Sequence, residues 1–318
     1  MLITKEHFDK IYKNNNIDTT CLVLILNNYC NANCKVCLAQ QIFKSSLCEK
    51  LCEYYSPNCI RCCDHNAPDE IYYERLKGIL KTINSPNVNI IITGGEPTLS
   101  NRFIPVLKIL DMYNYNNKTI ELETNGAKLL DEEIAKELIK RKVFIHLSRY
   151  CIDDTKNYDE FKFKFAETSN EKIKQLALKY GKLLGLSSIL LKKYIPDAAA
   201  LTKFVDYYKD YGIHQFSFLE VMIDTDLPTA NKTQLDYCLQ QLIPSKKLSE
   251  QLSQMGHSKI KDFGDESYKY RVHTYKDCIL SFTMSNLHLQ HNQPEFNEFS
   301  RFLIMPSGEI GVNGIEIR

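Results

Sequence analysis

The chain has no tryptophan, no excess of either charge and no apolar run of membrane-spanning length. Its 40 basic and 39 acidic residues leave a net charge of +1, which offers neither the electrostatic footprint of a nucleic-acid binder nor a patch for a membrane surface. No stretch approaches the roughly 20 apolar residues that a spanning helix needs. The first ten residues, Met1 to Lys10, carry no apolar core and no small-residue cleavage site of a secretory signal. These absences predict a soluble, cytoplasmic protein with no nucleic-acid and no membrane partner. Internal repeats beyond a recurring β/α unit, and low-complexity linkers, are also missing. The missing tryptophan, in an Asn-, Lys-, Ile- and Tyr-rich chain, carries no functional information.

What is present is cysteine, 12 of them in 318 residues. In a secreted domain that number suggests disulfides; without a secretory signal it suggests metal or redox chemistry. Cys30, Cys34 and Cys37 stand together as Cys-Asn-Ala-Asn-Cys-Lys-Val-Cys, directly after the apolar run 21–26. A redox dithiol needs two thiols, and a structural zinc usually takes four ligands. Three thiolates in one short loop suit an iron–sulfur cube with one iron left open.

Short apolar runs recur along the chain at 21–26, 88–93, 118–123, 142–148, 183–191 and 214–221. Runs of this length between turn signals read as buried strands. Helical patterns fill the gaps, over 68–80, from an N-cap at Ser100, and over 131–140, 171–180 and 196–211. This alternation predicts an α/β chain, a partial (β/α)6 TIM-like barrel whose chemistry lies at the C-terminal strand ends. Residues 1–20 form an N-terminal extension. The barrel spans 21–225 and carries a cysteine-rich insertion at 41–67. Residues 226–318 form a small C-terminal cap: a helix over 229–255 broken at Pro244, a polar stretch 256–277, and a β-hairpin turning at Pro306-Ser-Gly.

A second motif, Asn89-Ile-Ile-Ile-Thr-Gly-Gly-Glu-Pro-Thr98, ends the second strand. With the three-cysteine loop after the first strand, it resembles the radical S-adenosylmethionine (SAM) enzymes. The resemblance implies that Cys30, Cys34 and Cys37 hold three irons of a [4Fe–4S] cluster. The fourth iron would chelate SAM, whose reductive cleavage yields a 5′-deoxyadenosyl radical that abstracts hydrogen. It also implies that Gly94, Gly95, Glu96 and Pro97 contact the methionine amino group. Thr124 and Asn125 would line the SAM site at the third strand end, and Ser148 and Arg149 at the fourth. Arg149 suits either the SAM carboxylate or a surface salt bridge. Backbone groups of Leu219, Glu220 and Val221 would serve the adenine, as in the molybdenum-cofactor GTP cyclase, whose branch the chain resembles over 21–222. The chain lacks that cyclase's C-terminal cluster cysteines and its terminal Gly-Gly. It also carries Val36 where the family usually has an aromatic residue before the third cysteine.

Between the cluster loop and the first helix lie Cys48, Cys52, Cys59, Cys62 and Cys63. A first β/α loop this long suggests function. Its thiols suit zinc or a second iron–sulfur cluster, small buried apolar groups, or reactive thiols. Cys21, Cys151 and Cys238 are read as inert, His146 as a core residue, and His288 and His291 as surface residues. A peptide or protein side chain is the leading substrate, with a nucleotide or other small metabolite as rival. Lys192 and Lys193 are the nearest candidates for a phosphate. The family resemblance further implies an electron donor such as flavodoxin or ferredoxin. The rival of another class is a non-catalytic zinc-binding interaction protein.

Overall fold

The structure, a computed structural model, describes residues 2–14, 17, 19–37, 67–115, 118–163, 168–222, 232–264, 268–285, 299–308 and 310–312. In chain order it runs β1 (Leu2–Ile3), α1 (Lys5–Asn14), β2 (Thr19–Ile25), α2 (Asp69–Thr82), β3 (Asn87–Thr93), α3 (Phe103–Met112), β4 (Thr119–Thr124) and α4 (Glu132–Lys140). Then follow β5 (Phe144–Ser148), α5 (Asp154–Phe161), α6 (Asn170–Tyr180), β6 (Leu184–Ile189), α7 (Ala198–Lys209) and β7 (Gln215–Leu219). The last part holds α8 (Lys232–Gln241), α9 (Ser245–Gln254), β8 (Lys259–Gly264), β9 (Tyr268–Tyr275), β10 (Cys278–Ser285), β11 (Phe299–Ile304) and β12 (Ile310–Val312).

Strands β2 to β7 pair in sequence, each parallel to the next. They form the expected partial (β/α)6 barrel, and among the described residues its sheet does not close. The apolar runs became strands because their side chains alternate between two buried environments. Leu22, Leu24, Ile90, Ile92, Leu122, Ile145, Leu186 and Phe218 point toward the helices and form one core with Leu76, Val106, Leu107, Leu138, Leu176 and Phe204. The alternate positions face the lumen. Acidic or hydroxyl caps start the helices: Asp131 for α4, Asp153 for α5, Ser169 for α6 and Asp197 for α7. At α3 a short 3₁₀ turn, Pro97–Leu99, intervenes, and the α-helix begins only at Phe103. The expected N-cap, Ser100, instead accepts from the Arg102 N–H through its side-chain oxygen at 3.2 Å.

The C-terminal elements extend the sheet at both edges. β10 lies parallel to β7, and β11 parallel to β2. The hairpin of β11 and β12 turns at Pro306-Ser307-Gly308. Pro244 divides 229–255 into α8 and α9, as its missing N–H demands. Residues 256–277, read only as a polar stretch, contain both β8 and β9, which pair antiparallel. Polar side chains on the buried face of β9 hide the strand from apolar periodicity. His273 is fully buried with Nε2 2.7 Å from Ser249 Oγ, and Arg271 reaches Ser245 Oγ at 3.4 Å. No helix of the described residues is long and apolar enough to cross a membrane.

Candidate cofactor site at the C-terminal strand ends

The site grows from a close backbone contact between the ends of β2 and β3. Beyond β2 the Gly95 N–H donates to Asn27 O at 2.8 Å, and the Glu96 N–H to Tyr29 O at 2.7 Å. A Cβ on Gly94 would stand 2.6 Å from Asn27 O, and one on Gly95 2.2 Å from Tyr29 O. Both glycines are therefore required by the chain's own backbone, which leads directly into Cys30. The Asn27 amide donates to Glu96 O at 3.1 Å, which fixes its orientation. Its Oδ1 is buried beside Gly94 without a protein partner.

The loop 30–37 is then held from two further sides. The Asn33 N–H donates to Phe161 O at 2.7 Å and the Lys35 N–H to Glu160 O at 3.2 Å, both at the end of α5. The Asn125 amide donates to Cys30 Sγ at 3.5 Å and to Asn31 Oδ1 at 2.7 Å. The Ala32 N–H also points at Cys30 Sγ, at 3.3 Å. The three thiols influence one another electrostatically, although their sulfurs do not all lie within 4.8 Å of one another. Burial, with Glu96 and Cys37 adding to it, pushes the Cys30 thiol up to about 12. Burial, then Cys37 and Cys30, raises Cys34 well above the ordinary thiol range. A bound cation would counter these shifts and favour the thiolates. Three thiols in one short loop, with two N–H donors on Cys30 Sγ, fit an iron–sulfur cluster. The orphaned Asn27 Oδ1 and the two glycines fit an ammonium nearby.

Glu96 is fully buried, and its carboxylate ties its own turn to the end of β4. Its Oε1 accepts from the Thr98 N–H, the Thr98 hydroxyl and the Thr124 hydroxyl at 3.1, 2.6 and 2.7 Å. Its Oε2 accepts from the Asn125 N–H at 2.8 Å. Burial raises its pKa despite these bonds, since every donor is neutral. Lys172, in the first turn of α6, is lowered in pKa by burial, and the charge of Glu96 partly opposes this. Lys172 was invisible in the sequence, where it reads as one lysine among several on a helix.

Ser148, at the end of β5, begins a row. The register aligns Ser148 with Ser187, Ser187 with Ser217, and Ser217 with Ser281 across β5, β6, β7 and β10. The opposite wall is apolar, built from Cys21, Val23, Ile25 and Leu303. His146 also lies on the lumen side, 3.0 Å from Glu121. Burial depresses its pKa, but the Glu123 and Glu121 carboxylates outweigh that and raise it.

Arg149 is fully buried and forms a salt bridge to the half-exposed Asp154 at 2.6 Å, so the expected ion pair is present but its arginine is not at the surface. Its guanidinium donates to the carbonyls of Cys151, Ile152 and Thr168, to the Tyr208 hydroxyl and to Asp154 and Asn170. Leu219 O accepts from the Leu190 N–H, and the Glu220 N–H donates to Thr283 O. The Glu220 carboxylate accepts from the Ser245 N–H at 2.6 Å. Val221 and Val36 share one apolar cluster with Tyr150, Phe161 and Phe163, so aromatic surface absent at position 36 enters from elsewhere. Lys193, considered for a phosphate, instead pairs with the buried Glu160 carboxylate. Cys48, Cys52, Cys59, Cys62 and Cys63, with His288 and His291, lie outside the described residues.

Compared by sequence, the chain matches no family model and no curated protein. Compared by structure, it matches SuiB of Streptococcus suis bound to S-adenosylmethionine, with TM-score 0.55 and 17% identity over 98% of this chain and 64% of SuiB. SuiB bound to the precursor peptide SuiA matches with TM-score 0.54 and 17% identity, over 96% and 62%. The protein anSMEcpe bound to AdoMet matches over 68% of this chain and 58% of its own, with TM-score 0.47 and 19% identity. The chain thus spans less than two thirds of the length of these proteins. It shares the partial-barrel fold of SuiB.

Proposed function

We propose that the protein is a radical SAM enzyme. The observation that carries this is the loop of Cys30, Cys34 and Cys37 fastened to the Gly94-Gly95 turn, with N–H donors directed at Cys30 Sγ. A [4Fe–4S] cluster held by these cysteines supplies one-electron reduction of SAM and, through it, hydrogen abstraction. The chain's own residues bind and orient. Asn27 Oδ1 and the Glu96 Oε2 face take the methionine ammonium. Lys172 takes its carboxylate, a role that Arg149 leaves open by facing protein acceptors on all sides. Thr124 and Asn125 hold Glu96 and Cys30 in place. Ser148 stands at the ribose side, and backbone groups of Leu219, Glu220 and Val221 at the adenine side. The buried aromatic cluster of Tyr150, Phe161 and Phe163 excludes water.

The substrate we favour is a peptide or protein side chain, entering a lumen with one hydroxyl wall and one apolar wall. The peptide-bound SuiB, which shares the fold, supports this choice over a small metabolite. An external donor such as flavodoxin or ferredoxin delivers the electron. The five cysteines of the insertion take zinc or a second cluster.

The test is anaerobic reconstitution with iron and sulfide, then reduction in the presence of SAM, with Cys34→Ala as control. About four irons per chain and Cys34-dependent release of 5′-deoxyadenosine are expected; about eight irons would place a second cluster in the insertion. Zinc in place of iron, with no SAM cleavage, overturns the proposal in favour of the zinc-binding module.

A further inference from the structure

We infer that Glu160 is the positioning residue of the cysteine loop, and that through it helix α8 and the loop behave as one mechanical unit. This rests on the proposed cluster site and extends it to a residue that touches no cysteine sulfur.

Glu160 is the penultimate residue of α5 and is fully buried. Its carboxylate collects groups from three segments distant in sequence. Lys35, between the second and third cluster cysteines, approaches Oε1 at 3.6 Å. From the segment after β6, Lys193 pairs with the same oxygen, and the Tyr194 hydroxyl donates to it at 3.2 Å. From α8, the Tyr237 hydroxyl donates to Oε2 at 2.7 Å. The Glu160 carbonyl meanwhile accepts from the Lys35 N–H.

A buried carboxylate without partners would be costly, and here two ammonium groups and two phenols satisfy it. The arrangement is closed by bonds that bypass Glu160. Gln234 of α8 donates to Cys37 O at 3.2 Å. Gln241, at the end of α8, accepts from the Lys192 and Lys193 N–H groups. Helix α8 is therefore fastened to the loop at one end and to the segment after β6 at the other, with Glu160 between. Groups that orient ligands commonly change metal affinity about 10–100-fold when removed.

The experiment compares wild type, Glu160→Gln and Tyr237→Phe as full chains. Hydrogen exchange of the cluster-free protein is read first. In Glu160→Gln, segments 31–37 and 232–241 are expected to gain exchange together. Tyr237→Phe should move the same two segments by less. Exchange that rises in one segment alone, or in neither, overturns the inference. Iron release from the reconstituted protein is read second, and is expected to be about tenfold faster in Glu160→Gln, with altered electron paramagnetic resonance of the reduced cluster. Wild-type iron retention and an unchanged spectrum in Glu160→Gln would also overturn it. If wild type itself takes up no iron, the cluster proposal fails, while the exchange measurement still decides the coupling.

Discussion

Glu96 and Glu160 are both fully buried, one against the start of the cysteine loop and the other against its end, yet their charges are handled in opposite ways. Glu96 is bonded only by neutral donors, two threonine hydroxyls and two backbone N–H groups, and burial raises its pKa. Around Glu160 burial also acts upward, but the bonds from Lys193 and Tyr237 and the charge of Lys35 outweigh it and hold the pKa below the ordinary 4.5. The difference separates two tasks. Glu160 is electrostatically complete within the protein, as a structural knot should be. Glu96 has geometry but little countercharge, which leaves it receptive to a cation brought by a ligand.

The comparison breaks most severely at the backbone. Gly95→Ala would put a Cβ 2.2 Å from Tyr29 O. It is expected to cost about 3 kcal/mol in urea unfolding, at the upper end of overpacking effects. Glu160→Gln comes next. Breaking a fully buried ion pair costs about 3–5 kcal/mol, but Lys35 and Lys193 are 36% and 32% exposed and can turn to water, so about 2 kcal/mol is expected. Thr124→Val removes one donor from Glu96 and should cost about 1 kcal/mol in the same measurement, because three others remain.

The smallest and most discriminating effect is in the pH dependence of stability. Glu160 has a lowered folded pKa, so its contribution is present above the ordinary 4.5 and is lost as pH falls through the folded value. Glu96 has a raised folded pKa, so stability is highest below 4.5 and declines as pH rises through the folded value. Thermal unfolding of Glu160→Gln should therefore show a flatter acid limb than wild type. Glu96→Gln should lose the decline on the other side. Identical profiles for both variants would erase the distinction.

The barrel was legible because its strands bury apolar residues on the helix side at every second position, from Leu22 and Leu24 to Phe216 and Phe218. The cysteine loop and the Gly-Gly turn were legible because both are contiguous in sequence. What escaped was chemistry assembled across the fold. Glu160 lies in Asp-Thr-Lys-Asn-Tyr-Asp-Glu-Phe, which has no apolar period, and its partners come from three other segments. The burial of Arg149 depends on acceptors from Cys151 to Asn170 that only tertiary structure brings together. The serine row appears only once four strands are placed in register.

One more feature concerns the segment from 38 to 66, through its fixed ends. At one end Cys37 O is held by Gln234. At the other, the Ala67 N–H donates to Pro306 O, while Arg102 binds the carbonyls of both Ala67 and Pro306. The ends of this span are thus already tethered in the folded protein, so loop-closure entropy is met before anything binds to its five cysteines. Metal uptake there would not have to bring those ends together. Such a binding event would be felt at both tethers, and titrating zinc into the protein should slow amide exchange at Ala67 and at Cys37 alike.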